Sequence, residues 1–539
     1  MGEISMGVYV NPGNQAFAEI AGPQYVDKTG MISLVNDRIN SPEKLICVSR
    51  PRRFGKSYAA RMLAAYYDKS CDSHLLFDGR KISGTLNYEE YLNRYNVIYL
   101  EITSFLSQAR QEGKPLKDIP GMIKKAIWKD LVETGFSPLE GDTLTDFLIR
   151  CSERPGGARF VFIIDEWDAV IREAKDDPLA QKVYLDLLRE WFKNGTFTPK
   201  VVAAAYMTGI LPIKKDGSQS AISDFDEYTM IRPGPFAEYV GFTEAEVESL
   251  CQKHGIDYPI MKQWYDGYSF RGAASIYNPN SVMKAIRNDD FDSYWTETSA
   301  SEGLMDYITK DYDNLTRTIA ELIGGIEIPL NPTGFANDLT TFKGKDDVLT
   351  LLVHLGYLAY LAQSGTVRIP NEEIRREFRR SIREVSHEAT RKRVQESDQL
   401  FLDTIQGNEK AVAAQIEKIH QEETVPLHYN QEESLRSVIK LAYYTYKDHY
   451  IQLEELAGGE GYADIVYLPL RHSNWPVLVI ELKWNKSAEG AIEQILKKQY
   501  PSSVKDYPGK ILLVGINYDK NAPAGERKHT CLIREYYIQ

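Results

Sequence analysis

With 539 residues, 43% hydrophobic and 26% charged, the chain has apolar surface for several cores, and its length predicts three or four domains. A formal net charge of −12 and a pI near 5.5 exclude a uniformly basic nucleic-acid binder, so any contact with a polynucleotide must be local. Five cysteines with no C-x-x-C, nine scattered histidines and no apolar run near the roughly 20 residues that cross a bilayer exclude a disulfide scaffold, a zinc-finger spacing and a membrane span, and predict a cytoplasmic protein with reduced thiols.

Lys44 to Val48 predicts a short buried strand. It runs into Ser49-Arg-Pro-Arg-Arg-Phe-Gly55-Lys56-Ser57, and Tyr58 to Tyr67 then reads as a helix. Strand, Gly-Lys-Ser loop and helix make a phosphate-binding loop, in which backbone N–H groups and the helix N-terminus hold phosphates. Arg53, Phe54 and Gly55 are expected along a nucleotide, with Lys56 on its outer phosphates and Ser57 on Mg²⁺. Arg50 stands where the opening glycine of Gly-x(4)-Gly-Lys-Ser is usual, so glycine's positive φ is not on offer there.

Val97 to Ile102 predicts another strand, and Ala158 to Ile164 a third that ends in Asp165-Glu166-Trp167-Asp168. In that setting Asp165 holds Mg²⁺ through water and Glu166 polarises the hydrolytic water as general base. Val201 to Met207 ends at Thr208-Gly209, where a hydroxyl would meet the γ-phosphate. ATP is the expected ligand, and alternating strands and helices over 1–240 predict a parallel α/β sheet closed by Arg232-Pro-Gly-Pro-Phe236.

Thr243 and Glu246 have capping-box spacing and open a mostly helical lid region over 241–385. Within it, a helix from Val348 to Leu358, a hairpin from Ala359 to Ile369 and a helix start at Pro370-Asn371 suggest a winged-helix-like lobe. The basic stretch Arg375 to Arg383, with Arg391-Lys-Arg393 beyond, reads as a solvated helix face in preference to a phosphate-binding one. Residues 386–425 predict a helical connector.

The remaining segment, 426–539, carries a second constellation. Pro476 to Trp484 is an apolar strand with Glu481 and Lys483 two residues apart, hence on one face together with Val477 and Val479. Leu478, Ile480, Leu482 and Trp484 make the other face apolar too, so the strand should be central. Gly461-Tyr-Ala-Asp464 leads a preceding strand, and Ala488 to Tyr500 has helical spacing that includes Gln494. Upstream, Glu432 shares a helical face with Leu435 and Ile439, whereas Glu433 pairs with Arg436. Glu432, Asp464 and Glu481 would form a hard oxygen site for Mg²⁺, with Lys483 orienting the attacking water on a phosphodiester.

Asp464, Glu481-Leu482-Lys483 and the Gln494…Tyr500 helix resemble the PD-(D/E)XK nuclease superfamily, with Ala463 where its proline often stands. Nearly the whole chain resembles one bacterial and archaeal family, the AAA-ATPase-like proteins with such a nuclease-like domain at the C-terminus. The landmarks include Tyr9-Val-Asn-Pro-Gly-Asn14, Tyr25-Val-Asp27-Lys28-Thr29, Arg50 to Ser57, Ile164-Asp-Glu-Trp-Asp168, Trp264-Tyr-Asp-Gly-Tyr268 and Tyr277-Asn-Pro279. The resemblance implies a P-loop ATPase domain joined to a restriction-endonuclease-like α/β domain, with Glu166, Asp464, Glu481 and Lys483 as catalytic residues. It implies ATP and Mg²⁺ as cofactors and a nucleic-acid substrate, DNA ahead of RNA. The competing expectation is a signalling or scaffold NTPase whose C-terminal fold binds a partner or nucleic acid without cutting.

Overall fold

The computed structural model describes residues 6–536 except 155–156, 214, 217–218, 221, 223, 271–272, 296–314, 324, 336–341, 385–387, 424–434, 436–437, 440–441, 444–449, 459–460, 470–474, 499–509 and 523–527. Side chains are likewise left undescribed at 215–216, 219–220, 273–274, 316–317, 320, 379, 381–394, 422–423 and 451–464. The chain divides into two compact units, Met1–Trp295 with Pro329–Ile374, and Thr296–Ile328 with Arg375–Gln539.

In the first unit, β1 (Leu45–Ser49), β2 (Asn96–Glu101), β3 (Phe160–Asp165), β4 (Val202–Gly209) and β5 (Asp226–Tyr228) form one sheet in the order β2-β3-β4-β1-β5. Every pairing in it is parallel. The near-continuous apolar character of β1, β3 and β4 follows, because a parallel sheet is covered on both faces. Cys47, Leu100, Phe162 and Met207 share a core with α2 (Ile119–Glu133) and α4 (Pro178–Phe192), while α1 (Lys56–Tyr67) continues directly from the loop after β1. Between β3 and α4 lies the short α3 (Ala169–Glu173). With β4 lying between β1 and β3, the carboxyl ends of all three strands stand side by side, Ser49 opposite Gly209 and Ile164 opposite Met207. Ligands of open parallel sheets bind at such ends.

The chain then builds β6 (Phe242–Thr243), α5 (Glu244–His254), α6 (Tyr258–Tyr265), β7 (Tyr268–Phe270), β8 (Ala273–Tyr277) and α7 (Pro279–Asn288). Thr243 and Glu246 form the capping box that starts α5, each satisfying the other's backbone N–H. Trp264 is buried in a core with Val247, Met261 and Tyr277, so the aromatic run around it packs a core and is not a stacking platform. Next come α8 (Lys345–Leu355), an antiparallel hairpin of β9 (Ala359–Leu361) and β10 (Thr366–Arg368), and α9 (Glu372–Glu384). In the basic stretch, Arg375 and Arg376 are half-buried and Arg380 is exposed.

The second unit carries helices α10 (Glu388–Ile405) and α11 (Glu409–Glu423) and a sheet of β11 (Tyr450–Gly458), β12 (Gly461–Pro469), β13 (Val477–Trp484), β14 (Ile511–Tyr518) and β15 (His529–Tyr536), in that order. Only β13 and β14 run parallel among these neighbours, and α12 (Ala488–Lys497) connects them, as a parallel pair requires. Leu478 and Ile480 pack with Leu400, Val412 and Ile416 on one face, and Val477 and Val479 pack with Ile492 and Ile495 of α12 on the other. Gly515 lets α12 lie close, since a Cβ there would stand 2.4 Å from the Ala488 carbonyl oxygen. On the opposite face the imidazoles of His420 and His529 share a hydrogen bond of 2.8 Å between Nδ1 and Nε2, both rings lying against Tyr518.

Candidate nucleotide site and C-terminal strand end

Gly55 caps the N-terminus of α1 with φ of +89°, a left-handed backbone that glycine adopts without penalty. Arg53, two residues earlier, is held at +67°. The turn brings Lys56 back over its own loop, where the ammonium, 4% exposed, donates to the Pro51 carbonyl at 2.8 Å. Burial pulls its pKa down, and the negative charges of Glu166, Asp165 and Asp168 push the other way.

Across from α1, the Asp165 carboxyl at the end of β3 accepts hydrogen bonds from the hydroxyls of Ser57 and Thr208. Tyr99 of β2 lies 3.5 Å from its other oxygen. Burial raises the pKa of Asp165, the Ser57 and Thr208 hydroxyls oppose the rise, and Glu166 adds to it. The next residue, Glu166, has φ of +55°, and its N–H donates to Thr208 Oγ1 at 3.3 Å. Its carboxylate Oε2 meets Arg172 Nη2 of α3 at 2.5 Å, and Arg172 Nε meets Asp168 Oδ2 at 3.1 Å. Asp168 Oδ2 also accepts the N–H groups of Ile210 and Leu211 at 3.1 and 2.9 Å. Thus Lys56, Ser57, Asp165, Glu166 and Thr208 lie together at the carboxyl ends of β1, β3 and β4. A hydroxyl touching a carboxyl is a donor set of hard oxygens, which fits Mg²⁺.

Arg50, Arg53 and Phe54 look the other way. Arg50 is fully buried, its Nη1 donating to the carbonyls of Ser49 and Tyr228 at 2.9 and 3.0 Å and its guanidinium lying 5.1 Å over the Phe270 ring. Burial draws its pKa down to about 10, and the neighbouring His354, also buried, is held down to about 3. Phe54 lies edge-on to Tyr268 at 5.3 Å, and Arg53 Nη1 donates to the Tyr294 carbonyl at 3.1 Å. Both side chains thus have partners in residues far along the chain.

At the end of β13, Glu481 is 2% exposed, and its Oε1 accepts from Lys483 Nζ at 2.9 Å and from Gln494 Nε2 of α12. Lys483 Nζ also donates to Gln494 Oε1 at 2.6 Å. In the β12–β13 ladder Ile465 faces Ile480, the residue before Glu481. The side chain of Asp464, and Glu432 and Tyr500 altogether, lie outside the described residues. Among the described residues, no group of three or more His, Cys, Asp or Glu side chains is placed to hold a metal.

Sequence reasoning gave no role to Arg172, Asp168 or Tyr99. The one available signal was the i, i+4 spacing of Asp168 and Arg172, which is common on helices and points to nothing until the turn at Glu166 is known.

Residues 12–218 match the AAA-ATPase-like family, described as "Predicted AAA-ATPase". The chain is 26% identical over 306 residues to an uncharacterized protein in the vnfD 5' region of Azotobacter chroococcum mcd 1, a match that covers 55% of each, so the chain spans about half the length of that curated relative. Among solved structures, the Walker-type ATPase paby2304 of Pyrococcus abyssi is similar over 65% of this chain and 94% of its own, at 11% identity and a TM-score of 0.32. The ORC2 protein of Aeropyrum pernix, in ADPNP–ADP complexes, matches over 68% of this chain and 98% of its own, at 14% identity and a TM-score of 0.26. Over its N-terminal region, the chain is therefore similar to the predicted AAA-ATPases.

Proposed function

We infer that the first unit binds ATP with Mg²⁺ and hydrolyses it at the carboxyl ends of β1, β3 and β4. The observation that carries this reading is the contact of the Ser57 and Thr208 hydroxyls with Asp165, beside a lysine whose ammonium donates to a carbonyl of its own loop. Lys56 binds the outer phosphates, Ser57 and Asp165 hold the ion, Thr208 lies at the γ-phosphate, and Glu166 takes the proton of the attacking water. When bound, Mg²⁺ would offset the negative charge of the phosphates. ATP titration and turnover assays on the full chain test it. Lys56→Ala should weaken binding about 100-fold, close to 2.7 kcal/mol of charge-assisted bonding, and unaltered affinity in that variant refutes the site.

For the second unit the finer proposal is Mg²⁺-dependent, ATP-regulated cleavage of nucleic-acid phosphodiesters, preferentially DNA, at Asp464, Glu481 and Lys483, with Glu432 as a further ligand. Its support is the gathering of Glu481, Lys483 and Gln494 at the end of β13, next to β12, the strand that carries Asp464. A second reading, binding of a partner or nucleic acid without cleavage, draws on a different fact: Glu481 Oε1 is already engaged by both Lys483 and Gln494. Incubation of DNA and RNA with the protein, Mg²⁺ or Mn²⁺ and ATP separates the two. Cutting that disappears in Glu481→Ala and Lys483→Ala supports the nuclease; intact nucleic acid under all these conditions supports the binding module.

A further inference from the structure

Within the hydrolytic reading above, we propose that Arg172 is a positioning residue for the water-activating carboxylate of Glu166. Glu166 sits on a turn between β3 and α3 with a left-handed backbone, which alone leaves its side chain several rotamers. Arg172 removes that freedom. Its guanidinium is a planar fork whose Nε is pinned by Asp168 at 3.1 Å and whose Nη2 grips Glu166 Oε2 at 2.5 Å. Asp168 is itself held in place, being completely buried and accepting the N–H groups of Ile210 and Leu211 directly after β4. The chain of contacts therefore starts from backbone that follows the Thr208 strand and ends at one oxygen of Glu166.

With Oε2 fixed, Oε1 is the oxygen left for a water. As that water's oxygen bonds to the γ-phosphorus and the bond from phosphorus to the β–γ bridging oxygen breaks, the water proton passes to Glu166, and ADP and phosphate result. Misplacing the acceptor by an ångström slows such a step without touching phosphate binding. Arg172 thus acts on turnover through Glu166 and makes no contact with substrate.

The test uses the full chain with Arg172→Lys and Arg172→Ala. A lysine keeps the charge beside the buried Asp168 but offers a single ammonium, which cannot hold Asp168 and Glu166 in the fork's geometry. Arg172→Lys should therefore fold and bind ATP within twofold of wild type, with KM equally unmoved, while kcat falls about tenfold; Arg172→Ala should fall at least as far. Wild-type kcat in Arg172→Lys, or a kcat loss matched by weaker ATP binding, overturns the role. A wild-type protein that binds ATP without hydrolysing it overturns the hydrolytic reading itself, and this role with it, whereas normal wild-type turnover with an unaffected Arg172→Lys removes Arg172 alone.

Discussion

Tyr268 donates its hydroxyl to the carbonyl of Gly356 at 2.5 Å, and the same ring lies edge-on to Phe54 of the phosphate loop. Gly356 has φ of +88°, and a Cβ there would come within 2.7 Å of both Pro51 and Trp295. The loop between β1 and α1 is thus shaped from outside by residues far along the chain.

Enlarging position 356 should reach the nucleotide site. Gly356→Val meets both the left-handed backbone, a cost of about 1–2 kcal/mol, and the side chain of Pro51. Lower thermal stability together with at least about tenfold weaker ATP binding is expected, a factor equal to 1.4 kcal/mol. Calorimetric titration and thermal unfolding of the variant provide the check, and intact affinity would mean the loop's shape is independent of the contact.

The buried Asp165 carries a raised pKa, chiefly through burial. An acid whose folded pKa lies above its unfolded one supports folding at pH below the unfolded value and withdraws that support as pH rises through the folded one. Asp165→Asn should therefore gain stability relative to wild type as pH rises through and beyond the carboxylate range, while losing Mg²⁺-dependent ATP hydrolysis. Melting curves of the two proteins between pH 4 and about 8 should diverge in that direction. Parallel curves would contradict it.

His529 behaves oppositely. Burial, followed by His420 and Lys528, holds its pKa down to about 3. A base with a depressed folded pKa gives stability that is complete above its unfolded value, about 6.5, and drains away as pH falls toward the folded one. Acidification from pH 7 to about 4.5 should loosen the second unit, and His529→Asn should flatten that dependence. Hydrogen exchange of β15 at the two pH values is the suitable measurement.

Lys483 compensates a carboxylate that water barely reaches. Lys483→Ala takes the ammonium away from the buried Glu481 carboxylate and should cost about 3 kcal/mol, whereas the double change Glu481→Leu with Lys483→Met should recover most of the loss, because removing both charges ends the desolvation penalty. Denaturant unfolding of the single and double variants decides this, and an additive double loss would argue against a coupled pair.

Much of this was legible in the residues. The runs at Leu45–Ser49, Phe160–Asp165 and Val477–Trp484 are apolar on both faces because their strands lie inside sheets, and that burial dictates their composition. Glu481 and Lys483 share a face because strand geometry allows nothing else. Arg50 was legible only in part: with Arg52 and Arg53 it reads as a cationic cluster of the phosphate loop serving nucleotide or domain contacts, and only the approach of Phe270 and the Tyr228 carbonyl reveals a buried cation. Arg172 escaped notice for the same reason, since its partner is set by a left-handed turn six residues away that no local preference of glutamate encodes.

The clearance between Gly356 and Pro51 also bears on how the protein can be dissected. A fragment ending near residue 240 would keep β1, α1, Lys56, Ser57, Asp165, Glu166 and Thr208, yet lack Tyr268, Trp295 and Gly356, the residues against which Pro51 and Phe54 are moulded. Such an excised sheet would present its glycine loop with one wall missing, and its affinity for nucleotide would understate that of the intact chain.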